Sequence, residues 1–448
     1  MPRAQELGNR ALPLSHSQPF RLKAAISRLR SRNWARCTGC DAKTIHSADP
    51  IARSIQQEIV MRHPHYSFAR RLCSALAIIA GTSAPLAAQQ QASRPLGQRQ
   101  QRPRQVVKID SARAEELYVS NRAEDLPQAD FARQIAEKAR TDSILAARAG
   151  GSYEFKKITY KSSADGMEIP GYLFAPLTKR GARGHAAMVW VHGGVHGDWT
   201  ETMLPFVKEA VQRGYVIVTP DYRGSTGHGA AHYNAIDYGG KELDDVLTAV
   251  EYLHTLSYVD AERIGIMGWS HGGFITAHLA MRKETPFKAA AAIVPVTNLV
   301  FRLSYKGPGY QRSYATQATI GGLPFEKPDE YIKRSPLYHV EDLNIPILVH
   351  VATNDQDVNY VEDQQLVWKL RALKPELAET KIYVDPAPWG ASVGHAFSRR
   401  VDPKTLERVD SPEQIDSWNR TWVFFEWWLR PYEDRSKPAP KVATGPGQ

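Results

Sequence analysis

Residues 263–281 read RIGIMGWSHGGFITAHLAM, and the fold turns on them. Ile264 and Ile266 alternate with small residues, as a strand does. Phe274 to Met281 is apolar at helical length. Between them stands Gly268-Trp269-Ser270-His271-Gly272, a G-x-S-x-G. Its glycines permit a sharp strand-to-helix turn that lifts the serine hydroxyl above a sheet edge. A hydroxyl there sits at a helix N-terminus, where the dipole favours developing negative charge. Ser270 is therefore the candidate nucleophile.

Outward from this turn, short apolar segments alternate with helical ones. Strands are expected at 153–160, 167–174, 187–191, 216–219, 263–267, 290–294, 347–351 and 381–384. The first two form an antiparallel pair around the turn-prone stretch 162–166. Helices are expected at 203–212, 241–256, 274–281, 362–373 and 412–429. Such alternation implies a mostly parallel sheet with helices on both faces, an α/β class. Residues 110–148 show helical spacing, so a short helical N-terminal segment over 105–150 packs against the main domain.

A serine nucleophile needs a base, and the base needs an orienting carboxylate. In the α/β-hydrolase fold the chain order is Ser, then Asp or Glu, then His. The loop after strand 347–351 offers both Asp355 and Asp357. His395 is the only His after position 350 and follows the last strand. Two N–H donors are needed for an oxyanion. One is His271, next to the nucleophile. The other falls in His192-Gly193-Gly194 after strand 187–191, with Gly194 preferred over Gly193. Trp199, Tyr222, Tyr310 and Trp389 are candidate substrate-pocket residues. His192, His196, His228 and His232 lie in Gly-rich loops without helical i,i+4 presentation, so no metal site is expected, and the triad requires no cofactor.

These motifs resemble the catalytic domain of the prolyl oligopeptidase family, with its dipeptidyl- and acylaminoacyl-peptidase branches. The similarity runs over 153–429 and rests on four stretches. They are Val189-Trp190-Val191-His192-Gly193-Gly194, Asp221-Tyr222-Arg223-Gly224-Ser225, the turn at Ser270, and Ile320-Gly321-Gly322-Leu323-Pro324. The resemblance implies an α/β-hydrolase fold, a Ser270–Asp355–His395 triad and peptide cleavage. It also implies Asp355, not Asp357, as the acid. The chain departs from the family pattern at Ala352, at Asn359 and in the extended loop 386–393. Residues 105–150 leave room for a few helices where many family members carry a β-propeller.

Charge places the remaining boundaries. The 448-residue chain has 57 Lys and Arg against 47 Asp and Glu, a net charge of +10. Residues 1–88 hold 13 of those cations and 4 of the acids, which leaves +1 for the rest. The excess is thus a property of the leader, and nucleic acid is not an expected partner. Within 61–88, Arg70-Arg71 precedes an apolar run and small residues end at Ala88, the layout of a secretory signal peptide. Residues 1–60 are read as a doubtful extension before a start at Met61, 89–104 as a linker, 151–432 as the catalytic domain and 433–448 as a flexible tail. All three cysteines, Cys37, Cys40 and Cys73, lie in the leader. The expected protein is periplasmic or secreted, has no stable membrane anchor after signal cleavage, and acts on a peptide or ester substrate. A carboxylesterase with the same triad and an inactive hydrolase-like binding module are the alternatives.

Overall fold

The computed structural model describes residues 129–390 and 393–437. The readings for 1–60, 61–88 and 89–104, and the parts of 105–150 and 433–448 beyond these limits, lie outside the described residues.

The elements in chain order are α1 (Phe131–Ala149), β1 (Glu154–Lys161), β2 (Glu168–Ala175), β3 (His185–Val191), α2 (Leu204–Gln212), β4 (Val216–Pro220), α3 (Ala230–Asn234), α4 (Lys241–His254), β5 (Val259–Trp269), α5 (His271–Ala280), β6 (Ala289–Ile293), α6 (Leu299–Tyr305), α7 (Pro308–Ala315), α8 (Pro328–Lys333), β7 (Ile347–Ala352), α9 (Tyr360–Leu373), β8 (Ala378–Tyr383) and α10 (Pro412–Leu429). The strands form one sheet in the order β1-β2-β4-β3-β5-β6-β7-β8. β1 pairs antiparallel with β2, and β2 with β4; all later pairs are parallel. This is the α/β-hydrolase arrangement.

Each central strand is buried on both faces, as a parallel strand under two helix layers must be. In β3, Ala187, Val189 and Val191 join one core, while Ala186, Met188 and Trp190 join the other. The second core is dominated by tryptophan. Trp190 stacks on Trp269 with centroids 5.6 Å apart, and Trp418 of α10 packs on Phe206 of α2 at 4.5 Å. β6 reads AAAAI, and its small side chains let the covering helices approach closely.

The chain moves from β3 to β4 on one side, then crosses back to lay β5 on the other side of β3. The loops after β3 and β5 therefore diverge above adjacent strand ends. That reversal of direction is where open parallel sheets form their crevices.

Two findings modify the sequence expectation. Between β6 and β7 the chain forms α6, α7 and α8, which periodicity did not reveal. They are only 7, 8 and 6 residues long, too short to show a repeat. Local chemistry starts them instead: Asn298 caps α6, and Pro308 and Pro328 stand in the first turns of α7 and α8.

The second finding is that α1 is bound to the sheet by a buried cation. Lys138 is 5% exposed, and its ammonium lies 2.5 Å from Asp221 and 3.1 Å from Asp198. It also donates to the Trp199 carbonyl at 2.8 Å. Burial opposes its charge, but the two carboxylates outweigh that, and its pKa is raised. Removing one partner of such a pair strands the other in low dielectric. Lys138→Ala is expected to cost about 3–5 kcal/mol of stability in denaturant unfolding. Adding Asp221→Asn should recover part of the loss; a Lys138→Ala cost below about 1 kcal/mol would contradict this role.

Candidate active site

The turn after β5 holds Ser270 at φ 56°, ψ −119°, a backbone state that non-glycine residues rarely adopt. Its surroundings fix that state. The Ser270 N–H donates to the Ile293 carbonyl at 3.0 Å, and the Ser270 carbonyl accepts from Phe274 at 2.8 Å. A Cβ at Gly272 would lie 2.5 Å from the His192 carbonyl oxygen, and one at Gly268 2.5 Å from the Gly272 carbonyl carbon. Only glycine fits at either position, so the two residues flanking Trp269-Ser270-His271 follow from packing. Ser270 itself is half-buried. As N-cap residue it presents the first, unpaired N–H of α5, that of His271, to the same opening.

The loop after β3 packs directly on this turn. A Cβ at Gly193 would fall 3.3 Å from Ser270 Cβ, which measures how close the two loops come. Gly194 takes φ +75°. Among the described residues, the N–H groups of His271, Gly193 and Gly194 donate to no acceptor. They are free for a ligand beside Ser270.

Asp355 and His395 meet. His395 Nδ1 lies 2.7 Å from Asp355 Oδ2, and both residues are 6% exposed. The other Asp355 oxygen accepts the N–H groups of Asp357 at 2.8 Å and Val358 at 3.0 Å. Three hydrogen bonds thus orient this carboxylate. Asp357 is exposed, and its carboxylate lies 3.9 Å from Lys306. Of the two acids that the sequence offered, only Asp355 touches the imidazole. The Ser270 hydroxyl makes no hydrogen bond among the described residues. Catalytic hydrogen bonds often close only with substrate present.

The Asp221–Ser225 loop supports the β3 loop from behind. Tyr222 donates its hydroxyl to the Gly194 carbonyl at 2.7 Å, and its ring stacks on His192 at 4.3 Å. Ser225 Oγ lies 2.9 Å from His192 Nε2 and donates to the Tyr222 carbonyl at 2.6 Å. Asp221 accepts from the Trp199 N–H at 2.9 Å and pairs with Lys138 and His228. Arg223 pairs with Asp245 at 2.8 Å and Asp165 at 2.9 Å. Every polar side chain of this motif is committed to structure.

That packing changes the pocket expectation. Trp199 is 1% exposed and Tyr222 0% exposed. The Trp199 indole donates to the Trp190 carbonyl at 3.0 Å. Both belong to the interior, where their polar atoms and ring faces are already partnered. Tyr310 and Trp389 remain half-buried. Tyr310 accepts from Arg302 at 2.9 Å, and the Arg400 guanidinium lies 5.2 Å from the Trp389 ring.

The loop histidines are likewise occupied. His196 Nδ1 lies 2.7 Å from the Gly224 carbonyl and His228 Nε2 2.9 Å from Asp221. His232 Nε2 lies 3.0 Å from the Tyr222 carbonyl. Burial lowers His192 to about 4. Among the described residues no three His, Cys, Asp or Glu groups gather as metal ligands. His271 is buried with both ring nitrogens unpartnered, and burial holds its pKa well below the usual range. Glu242 faces it at 3.5 Å, and burial raises that carboxyl to about 8. Burial thus disfavours charge on both groups beneath the turn.

Several residues that shape the site escape pattern reading. Lys138 lies on the buried face of α1 among polar neighbours. Ser398 accepts from the Trp269 indole at 2.8 Å, and its carbonyl accepts from Trp418 at 2.8 Å, which ties the His395 loop to both β5 and α10. Nothing in their local sequence announces these roles; they arise from contacts between residues far apart in the chain.

Comparison with known proteins supports a common ancestry. Residues 202–400 match the model of the prolyl oligopeptidase family. An uncharacterized peptidase, YuxL, of Bacillus subtilis (strain 168) is 29% identical over 260 residues, 57% of this chain and 37% of that protein. Acylamino-acid-releasing enzyme 1 of Oryza sativa subsp. japonica is 28% identical over 258 residues, 55% of this chain and 33% of that protein. The chain thus spans well under half the length of these relatives. The Pyrococcus horikoshii acylaminoacyl peptidase in its orthorhombic crystal form superimposes with a TM-score of 0.51 at 23% identity, over 65% of this chain and 44% of that one. That likeness bears on the fold alone. Residues 202–400 of this chain thus match the prolyl oligopeptidase family, and the fold is that of an α/β-hydrolase.

Proposed function

We propose that this chain is a serine hydrolase that cleaves peptide bonds through an acyl-enzyme. Two observations carry the reading: the buried 2.7 Å contact between His395 Nδ1 and Asp355, and a half-buried serine held in a strained turn. Asp355 leaves Nε2 of His395 as the free basic nitrogen and stabilises the imidazolium that forms. His395 takes the Ser270 proton as Oγ attacks the substrate carbonyl. The N–H groups of His271 and Gly194 hold the oxyanion, strongest in the tetrahedral state. His395 then returns the proton to the leaving amine, and water releases the acyl group by the same steps in reverse order. No cofactor enters these steps.

Peptides are preferred over esters as substrates because the family domain and the similar acylamino-acid-releasing enzymes point that way. The half-buried Tyr310 and Trp389 stand as candidates for the substrate surface. A carboxylesterase remains the second reading, since the same triad turns over both acyl groups.

The test is a hydrolysis panel of N-acylated peptides, aminoacyl anilides and short- to long-chain esters. Peptide or anilide turnover is expected, and Ser270→Ala should lower kcat by at least about a thousandfold with little change in KM. Turnover of esters alone would replace the peptidase reading by the esterase one. No turnover of any member would favour an inactive binding module.

Export completes the proposal: the Arg70-Arg71 stretch, the apolar run after it and Ala88 form a signal for periplasmic or secreted delivery. N-terminal sequencing of the exported protein should start near Gln89; a mature start far from it would contradict the signal.

A further inference from the structure

Arg399 stands four residues after His395 in the same loop, and no carboxylate pairs with it. Among the described residues its guanidinium forms no salt bridge, and its buried Nε has no hydrogen-bond partner. Its one side-chain contact of note is the face of Trp269, with the guanidinium carbon 6.0 Å from the ring centroid. The neighbouring Arg400 also has an unpartnered Nε, but its guanidinium reaches the Pro388 carbonyl and the Trp389 ring. A buried donor without a partner costs about 1–3 kcal/mol, more for a charged group. Burial weighs against the Arg399 charge, and Asp355 and Asp357 act on it only from beyond ion-pair distance.

Arg399 also lines a cavity. The space measures about 80 Å³ and is walled by Trp190, His192, Gly193, Trp199, Trp269 and Arg399. One wall is thus the oxyanion loop, one the residue before Ser270, and one the loop that carries His395. A water needs roughly 10–15 Å³ by this measure, so the space holds a small charged group with its hydration but no large side chain. Asp198 borders the same cavity and shares Lys138, 3.1 Å away, with Asp221. Among the residues that line this space, the cation without an ion pair is Arg399.

We infer that Arg399 is a specificity residue that binds a carboxylate on the leaving group of the substrate. The inference rests on the hydrolase reading above. His395 must protonate the departing amine, so the leaving group lies on the side of Ser270 that this loop covers. A planar guanidinium offers two parallel N–H donors to a carboxylate, the geometry for which arginine is best suited. A peptide whose free C-terminal carboxylate lies close behind the scissile bond supplies that group. Short peptides with a free C-terminus are then preferred over internal bonds of long chains.

The experiment compares N-acylated dipeptides ending in a free carboxylate with the same dipeptides ending in a carboxamide. A parallel pair of esters carries 4-hydroxybenzoate or 4-hydroxybenzamide as leaving group. The full chain is expected to favour the acid of each pair by at least about tenfold in kcat/KM, mainly through KM. Arg399→Gln should bring the ratio near one, while Arg399→Lys should keep part of it. Labelling of each variant with a fluorophosphonate checks that its site has formed, and if Arg399→Gln does not label, Arg399→Lys against the full chain decides. An acid-to-amide ratio that is near one in the full chain, or unchanged in the labelled variants, overturns the inference and leaves the hydrolase reading intact. Absence of turnover for all four substrates overturns both.

Discussion

Two carbonyls leave no room for a side chain at the turn that carries Ser270. A Cβ at Gly272 would meet the His192 carbonyl, and one at Gly268 would meet the start of α5. The close approach of β5, α5 and the β3 loop holds Ser270 at φ 56°. Strain of this kind persists only where the surroundings over-determine it. Here they do so through the Ile293 and Phe274 hydrogen bonds and through the Trp190–Trp269 stack beneath the strand ends. The same approach sets Gly193 of the β3 loop directly against the Ser270 side chain. The candidate nucleophile and the candidate oxyanion donors are therefore consequences of one packing constraint.

A second layer keeps the β3 loop in place, and it is polar. Tyr222 holds the Gly194 carbonyl, Ser225 holds His192, and Asp221 collects Trp199, His228 and Lys138. The ammonium of Lys138 comes from α1, outside the strand-and-helix alternation. That makes α1 part of the site's foundation. An unpaired Asp221 would be a buried negative charge directly under the loop meant to receive an oxyanion, which is the wrong sign for that task. Lys138, shared with Asp198, offsets this charge.

The sheet was legible because its strands are short, apolar and regularly spaced, so residues 187–191, 216–219 and 347–351 stand out against their flanks. The elbow was legible because sterics demand glycine at fixed offsets from the serine. The loop alone left Asp355 and Asp357 open; the family resemblance chose Asp355, and the fold turns that residue inward to His395. Trp199 and Tyr222 illustrate a different limit. An aromatic residue near a catalytic motif looks the same in sequence whether it faces substrate or supports the loop from below. The helices at 299–333 and the buried Lys138 escaped for a related reason: caps and long-range ion pairs leave no periodic trace. Arg399 is illegible in the same way, because what marks it is the absence of a partner in three dimensions.

The central claim is that His395, oriented by Asp355, activates Ser270. The most direct measurement is the rate and position of covalent labelling by a fluorophosphonate, followed by intact mass and peptide mapping. The account predicts one probe per chain, on Ser270, and loss of labelling in a folded His395→Gln variant. Labelling at another residue, or at an unchanged rate without the imidazole, would contradict it.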